Sequence, residues 1–236
     1  MKQLSSGILA VKLSVLGYHK KKSGEIMFEI ENLKFKQILN IPNLIIDKQI
    51  TCITGTSGSG KTTLLRMLNR LNAPDEGTIL YNGADIAKTD AVRLRRNVVM
   101  LGQTPVLYPG NIRENLQIGL EFSQKPLASE DALLESLVRV ELDKDLDDPC
   151  GTLSGGEKQR LCLARVMLMD ADTYLLDEPS SALDKETEHF IIQNLADFAG
   201  ERKKQLIMVT HSENIAALYQ DSLIYLENGR IGSEPQ

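Results

Sequence analysis

Read from Met27, the chain alternates apolar and polar residues through Phe28-Glu29-Ile30-Glu31-Asn32-Leu33, the spacing of a strand with one buried face. Residues 41–47 read as a second strand. Ile50-Thr51-Cys52-Ile53-Thr54 is different: short, apolar and β-branched, as suits a central strand buried on both faces. A glycine-rich turn follows, and residues 62–71 read as a helix. Residues 77–82 and 97–101 read as further strands. From about residue 111 to 151 the strands stop and the apolar spacing turns helical. Ala132, Leu133, Leu134, Leu137 and Val138 suit one face of a helix there. A helix over 155–169 follows, then a strand over 173–176, a helix over 185–198, a strand over 205–210 and a helix near 214–219. A hairpin about Asn228-Gly229 closes the pattern. Strands alternating with helices predict an α/β fold, a mostly parallel central sheet flanked by helices. The first strands supply an antiparallel β part, and residues from about 111 to 169 form a helical lobe inserted into the core.

Residues 1–26 differ from residues 27–236, which read as one domain. An apolar stretch over 8–17, interrupted by Lys12, precedes His19-Lys20-Lys21-Lys22-Ser23-Gly24, which reads as a solvated loop. The stretch is either an added edge strand or an extension with no role; the pattern leaves both open. Its lysines follow the apolar run, the reverse of a signal peptide. No run reaches the roughly 20 apolar residues that cross a bilayer, so work on a membrane would pass through a partner.

The chain's 236 residues suffice for one large α/β domain. Its 27 basic residues stand against 32 acidic ones, a net charge of −5 that argues against a nucleic-acid partner. Cys52, Cys150 and Cys162 make neither a CxxC pair nor zinc spacing. They read as reduced, buried thiols of a cytoplasmic protein.

The strongest chemical signal is Gly55-Thr56-Ser57-Gly58-Ser59-Gly60-Lys61-Thr62-Thr63, which fits G-x-x-x-x-G-K-S/T between a β-branched strand and a helix. Glycines let the backbone wrap closely around a phosphate. The amide N–H groups and the helix N-terminus face the anion. Lys61 would reach the β- and γ-phosphates of ATP, and the Thr62 hydroxyl would ligate Mg²⁺. By itself the motif says only that a nucleoside triphosphate binds.

Downstream, Thr173-Tyr174-Leu175-Leu176-Asp177-Glu178 is an apolar strand ending in two carboxylates. Asp177 would hold Mg²⁺ through water, and Glu178 would act as general base on the attacking water. Acidic pairs after strands are also common loop residues; the P-loop upstream decides for the catalytic reading. Leu153-Ser154-Gly155-Gly156-Glu157-Lys158-Gln159 opens a helix with Ser154 as N-cap and two glycines that bare backbone N–H groups. Two glycines in a first helical turn are costly in a simple capped helix. Ser154, Gly155 and Gly156 therefore read as a second phosphate site, for the ATP of another subunit.

With these residues in view, the chain resembles the nucleotide-binding domains of ABC transporters over about residues 27–232. The P-loop, the LSGGE signature and the LLDEP strand end stand in that family's order. Gln103 resembles the Q-loop glutamine, expected to contact Mg²⁺ and sense γ-phosphate. Ser181-Ala182-Leu183-Asp184 resembles the D-loop, and His211 the switch histidine that contacts γ-phosphate. Phe35 stands where the family stacks an aromatic ring on adenine, although packing into the core is an equal reading for it. The resemblance implies a P-loop NTPase of ABC type, a Mg²⁺-dependent ATPase. Two copies would pair head to tail, each ATP held between one subunit's P-loop and the other's Ser154-Gly155-Gly156. It also implies a separate polytopic membrane permease, with the ATPase peripheral at the cytoplasmic face of the cell membrane.

Two other classes fit less well. DNA-repair and chromosome-organising relatives carry a long coiled coil where this chain has a short helical lobe. A simple P-loop kinase needs a substrate lid and no LSGGE. A narrower likeness lies in Gly110-Asn111-Ile112-Arg113-Glu114-Asn115-Leu116, similar to the G-x-I-R-E-N-L stretch that opens the helical lobe of exporters. The acidic-glycine loop of full exporters is missing; Asp147-Asp148-Pro149-Cys150-Gly151 stands there instead. The pattern most resembles small stand-alone ATPases of a two-component system implicated in iron export. Tyr108, Pro109, Ile112 and Leu116 are expected to form an exposed apolar cluster lining a groove for a short helix of the permease.

Overall fold

The computed structural model describes residues 27–232. The reading of residues 8–17 as a strand lies outside them. Two sheets organise the chain. The first is antiparallel, in the order β2-β1-β4-β5: β1 Phe28–Phe35, β2 Leu39–Ile46, β4 Glu76–Tyr81 and β5 Ala84–Asp85. The second has six strands in the order β10-β9-β3-β8-β7-β6: β3 Ile50–Thr54, β6 Val98–Leu101, β7 Thr173–Asp177, β8 Gln205–Val209, β9 Leu223–Glu227 and β10 Arg230–Gly232. Its pairs β6–β7, β7–β8, β8–β3 and β3–β9 are all parallel; only β9–β10 is antiparallel.

The sequence explains the layers. All five residues of both β7 and β8 are buried, as expected of parallel strands covered on both faces. Helix α1, Lys61–Leu68, buries Leu64, Leu65, Met67 and Leu68. These side chains share one core with Phe28, Ile30 and Leu33 of β1 and with Leu175, Ile207 and Val209 of β7 and β8. One helix thus ties both sheets to a single core. A second core lies on the other side. It joins Leu161, Leu163, Val166 and Met167 of α5 (Gly155–Leu168) to Ile191, Ile192 and Leu195 of α6 (Lys185–Arg202). Ile112, Leu116, Leu133 and Leu137 of α3 (Ile112–Phe122) and α4 (Glu130–Arg139) complete it.

Between β6 and β7 the chain is helical, as expected. Three readings are corrected. Residue 97 does not begin a strand; it ends a helix, α2, over Ala91–Asn97. Asp90 caps α2 by accepting from Arg93 N at 2.7 Å, and Leu94 is its buried residue. Seven residues with one apolar anchor leave no period to read. The helix begun near residue 62 stops at Leu68, because Arg70 turns to φ +57° and the Leu71 and Asn72 amides both return to Arg66 O. The Ile112 and Leu116 side chains are fully buried in the second core; they line no surface groove. All three cysteines are buried and unpaired.

Because β3, β6, β7 and β8 are parallel, their carboxyl ends open on one edge of the sheet. That edge is where ligands bind in open α/β sheets. The chain leaves these four strand ends through residues 55, 102, 178 and 210.

Candidate functional site

β3 ends at Thr54 and the chain enters the P-loop. Gly55 sits at φ +138°, and a Cβ there would lie 1.9 Å from Leu226 O of β9. Only glycine lets the loop pass so close to the neighbouring strand. Gly60, at φ +103°, precedes α1 in the left-handed region. Its own Cβ would fall 2.7 Å from the Leu39 side chain. Leu64 N then donates to Gly60 O at 2.8 Å. Lys61, only 6% exposed, donates from Nζ to Gly55 O and Thr56 O, both at 2.9 Å. Burial lowers its pKa, and the charges of Glu178 and Asp177 oppose that shift.

Thr62 Oγ1 donates to Asp177 Oδ1 at 3.0 Å, joining the first turn of α1 to the end of β7. Burial raises the Asp177 pKa, and the Thr62 hydrogen bond partly offsets it. The next residue, Glu178, adopts φ +52°. A non-glycine residue in that region carries on the order of 1 kcal/mol of strain. Two bonds hold it there: its N–H donates to Val209 O at 3.1 Å, and its carbonyl accepts from Gln159 Nε2 at 2.8 Å. The Glu178 carboxylate is gripped on both oxygens. Gln103 Nε2 donates to Oε2 at 2.8 Å, and His211 Nε2 lies 3.1 Å from Oε1.

The structure therefore brings together Lys61, Thr62, Asp177, Glu178, Gln103 and His211. Gln103 bonds the Glu178 carboxylate rather than the Thr62–Asp177 pair. Thr62 and Asp177 offer two hard oxygen donors, and no cluster of three His, Cys, Asp or Glu suited to a metal occurs among the described residues. That set fits Mg²⁺, which takes one or two protein oxygens and completes its shell with waters and substrate phosphates. Two buried hydroxyls beside the loop, Thr54 Oγ1 and Ser59 Oγ, have no hydrogen-bond partner among the described residues. Alongside, a cleft of about 480 Å³ is walled by Gly55, Thr56, His211, Ser212 and Tyr225.

Ser154, Gly155 and Gly156 do not join this cluster. Ser154 caps α5 in a reciprocal box: its side chain accepts from Glu157 N, and its N–H donates to Glu157 Oε2 at 2.7 Å. Ser154 and Gly155 are exposed, and nothing stands within 4 Å of a Cβ built on Gly155. Packing within the described chain does not require glycine there. The box also has an acid-stability signature. Its hydrogen bonds from Ser154, followed by Lys144 at 3.1 Å, pull the Glu157 pKa from 4.5 down to about 2. A depressed carboxylate contributes stability above its unfolded pKa and loses it as pH falls through the folded one. The urea midpoint of the wild type should exceed that of Glu157→Gln by a constant amount above about pH 5.5. The gap should close between pH 4.5 and 2. A gap that persists into acid would show that the charge on Glu157 is not what stabilises the box.

Phe35 ends β1 and packs half-buried against the core shared by the sheets, with Lys36 Nζ 5.0 Å from its ring centroid. The β1–β2 turn touches the P-loop, since Ile38 O would lie 3.3 Å from a Gly60 Cβ. Residues to which the sequence assigns no role brace the site and the loop that follows Gln103. Gln159, buried in α5, donates to Glu178 O and accepts from Ala182 N at 3.0 Å. Asn115, fully buried in α3, exchanges bonds with Tyr108 N and Tyr108 O, both at 2.9 Å. Arg165 of α5 donates to Asn115 O and Val106 O. An asparagine inside a helical pattern is a signal that could have found the second of these.

A P-loop at the carboxyl edge of a parallel sheet, facing two carboxylates, a glutamine and a histidine, defines a nucleotide-hydrolysing P-loop protein. The sequence profile of the ABC transporter family matches residues 39–181, and the chain belongs to that family as an ATP-binding, ATP-hydrolysing domain. It is 38% identical over 213 residues to the phosphate import ATP-binding protein PstB of Pyrobaculum aerophilum, covering 83% of each chain. It superposes with a TM-score of 0.77 on the dimeric ATP-binding cassette MJ0796 bound to ADP and Pi. There the identity is 28%, over 89% of this chain and 98% of that one. An ATP-bound bacterial Atm1-family ABC exporter gives a TM-score of 0.78 at 25% identity. This chain spans 95% of its own length in that match and 43% of the exporter's. Among the described residues no helix is long and apolar enough to cross a membrane.

Proposed function

We propose that the chain is the ATP-hydrolysing subunit of an exporter. In this reading two copies close head to tail around two ATP molecules at the cytoplasmic face of the cell membrane. They drive a separate permease that carries a small cargo, a metal ion such as iron. The observation that carries the dimer is the bare tip of α5. Ser154 and Gly155 are exposed, away from the cluster that holds the P-loop, and Gly156 packs beside Ala182 and Leu183, so the N–H groups of this turn suit a phosphate brought by another copy. The likeness to MJ0796, a dimeric ATP-binding cassette bound to ADP and Pi, supports the pairing of two copies.

Within one site, Lys61 and the loop amides hold the phosphates. Thr62 and Asp177 would hold Mg²⁺, which when bound neutralises developing phosphate charge. Glu178 takes the proton of the attacking water at its carboxylate. Gln103 and His211, both bonded to that carboxylate, orient it and face the γ-phosphate.

Support for the permease comes from the groove beside Gln103. A cavity of about 380 Å³ is lined by Leu71, Val106, Tyr108, Ile118 and Phe122, among others. Val106, Tyr108 and Phe122 are exposed, with Tyr108 and Phe122 edge to face at 5.7 Å. The occupant we assign is a short, largely apolar cytoplasmic helix of the permease, because relatives of this chain are named as ATP-binding components of transport systems. Tyr108→Asp should keep basal ATPase activity and abolish stimulation by the co-purified permease. Survival of both binding and stimulation would place the docking site elsewhere. Export is supported by the likeness of Gly110–Leu116 to exporters, while PstB is named for import. Deleting the gene should raise cellular cargo; a fall would make the chain an importer's subunit.

A further inference from the structure

Glu188 lies in the first turns of α6, and its carboxylate reaches two loops at once. Oε1 accepts from Ser180 Oγ at 2.7 Å, and Oε2 accepts from Ser212 Oγ at 3.0 Å. Ser180 is buried and stands two residues after Glu178; Ser212 follows His211 directly. On the opposite side, His211 Nε2 meets Glu178 Oε1 at 3.1 Å. The contacts close a ring: Glu178, His211, Ser212, Glu188, Ser180 and back along the chain to Glu178. The helix turn that carries the carboxylate is itself fixed. Asp184 caps α6 by accepting from Glu186 N and Thr187 N, and Glu188 N donates to Asp184 O at 2.8 Å.

We infer that Glu188 is a positioning residue of the ATPase site, holding the loop of Glu178 and the loop of His211 at a fixed spacing. The inference rests on the roles given above to Glu178 and His211. Their mutual contact uses groups that the reaction needs: a carboxylate that takes a proton, and an imidazole that faces phosphate. That contact must loosen in each turnover. The contacts at Glu188 involve no reacting group, so they persist when the other side of the ring opens. The plainer role for an acid in a first helical turn is to complement the helix dipole. That role depends on charge, whereas the strut depends on acceptor and donor geometry. Gln at 188 keeps one acceptor oxygen and adds an N–H₂ donor that a serine hydroxyl can accept.

The test uses the purified chain with Mg-ATP. Glu188→Ala should lower kcat roughly ten- to hundredfold through misplacement of the two loops. ATP affinity, measured without Mg²⁺ so that no turnover occurs, should stay within about twofold of wild type, since the P-loop is untouched. Glu188→Gln should restore most of the rate. In a double-mutant cycle, Glu188→Ala added to His211→Ala should slow the enzyme no further than His211→Ala does alone. Multiplying losses, or a Gln variant as slow as the Ala one, would reduce Glu188 to a stabilising acid and overturn the inference. A normal kcat in Glu188→Ala with an impaired His211→Ala would overturn it while leaving the site reading intact. A normal kcat in His211→Ala would remove both. If Glu188→Ala does not fold, Ser180→Ala and Ser212→Ala each open one side of the strut; their kcat losses should be equal, and together no larger than either.

Discussion

Glu178→Gln is expected to bind ATP like the wild type and to lose more than about a hundredfold in turnover, the range that removal of a general base produces. The substitution preserves shape. A glutamine still offers an oxygen to Gln103 Nε2, which now lies 2.8 Å from Glu178 Oε2. Its backbone keeps the bonds to Val209 O and Gln159 Nε2 that hold φ at +52°. What disappears is the carboxylate's capacity to accept a proton from water. Closure of the dimer needs phosphate contacts only, so the variant should close and then fail to discharge. Size-exclusion chromatography with Mg-ATP should show a stable dimer, where the wild type returns to monomer as ATP is spent. A Glu178→Gln protein that stays monomeric and hydrolyses normally would remove Glu178 as the base.

The second large effect is a rescue. Ser154→Arg removes an N-cap worth about 1 kcal/mol and places a long cationic side chain at the bare tip of α5. Lys61→Ala removes the ammonium that spans the P-loop at 2.9 Å from Gly55 O and Thr56 O. Each homodimer should be inactive. In a mixed dimer, the intact P-loop of the Ser154→Arg subunit faces the intact signature of the Lys61→Ala subunit. One of its two composite sites is then whole. Random pairing makes half the dimers mixed, so roughly a quarter of wild-type activity should return. If mixed dimers form and activity stays at the level of the separate variants, the signature does not act across the interface.

Much of this was legible because it is local. The P-loop is nine contiguous residues between a strand and a helix, and Asp177-Glu178 closes an apolar run whose end could be read directly. The parallel sheet followed from the alternation of strands and helices. Less legible were interactions between side chains far apart in the chain. Gln159 gripping Glu178 and Ala182, or Glu188 spanning Ser180 and Ser212, leaves no period in the sequence. Helix α2 was missed because one buried leucine makes no pattern. Tyr108, Pro109, Ile112 and Leu116 read as one apolar cluster at the start of the helical lobe, and the sequence does not separate its exposed members from its buried ones. In the fold the helix turns Ile112 and Leu116 into the core, and Phe122, more than a turn beyond them, faces the groove.

The P-loop precedes most of the described fold, yet it rests on strands made long after it. Strand β3 is flanked by β8 on one edge and β9 on the other, and Gly229 joins the loop to the first hairpin, donating to Ser59 O and accepting from Asn40 N. A ribosome making this protein therefore exposes the nucleotide-binding motif long before the motif has neighbours. Until residue 227 leaves the exit tunnel, β3 lacks its partner β9 and keeps one edge unpaired, a state open to wrong pairing. The order of synthesis thus postpones ATP binding until well after the P-loop itself is made. A stop codon at Leu223, which removes β9, should yield a chain that carries every catalytic residue and holds no nucleotide.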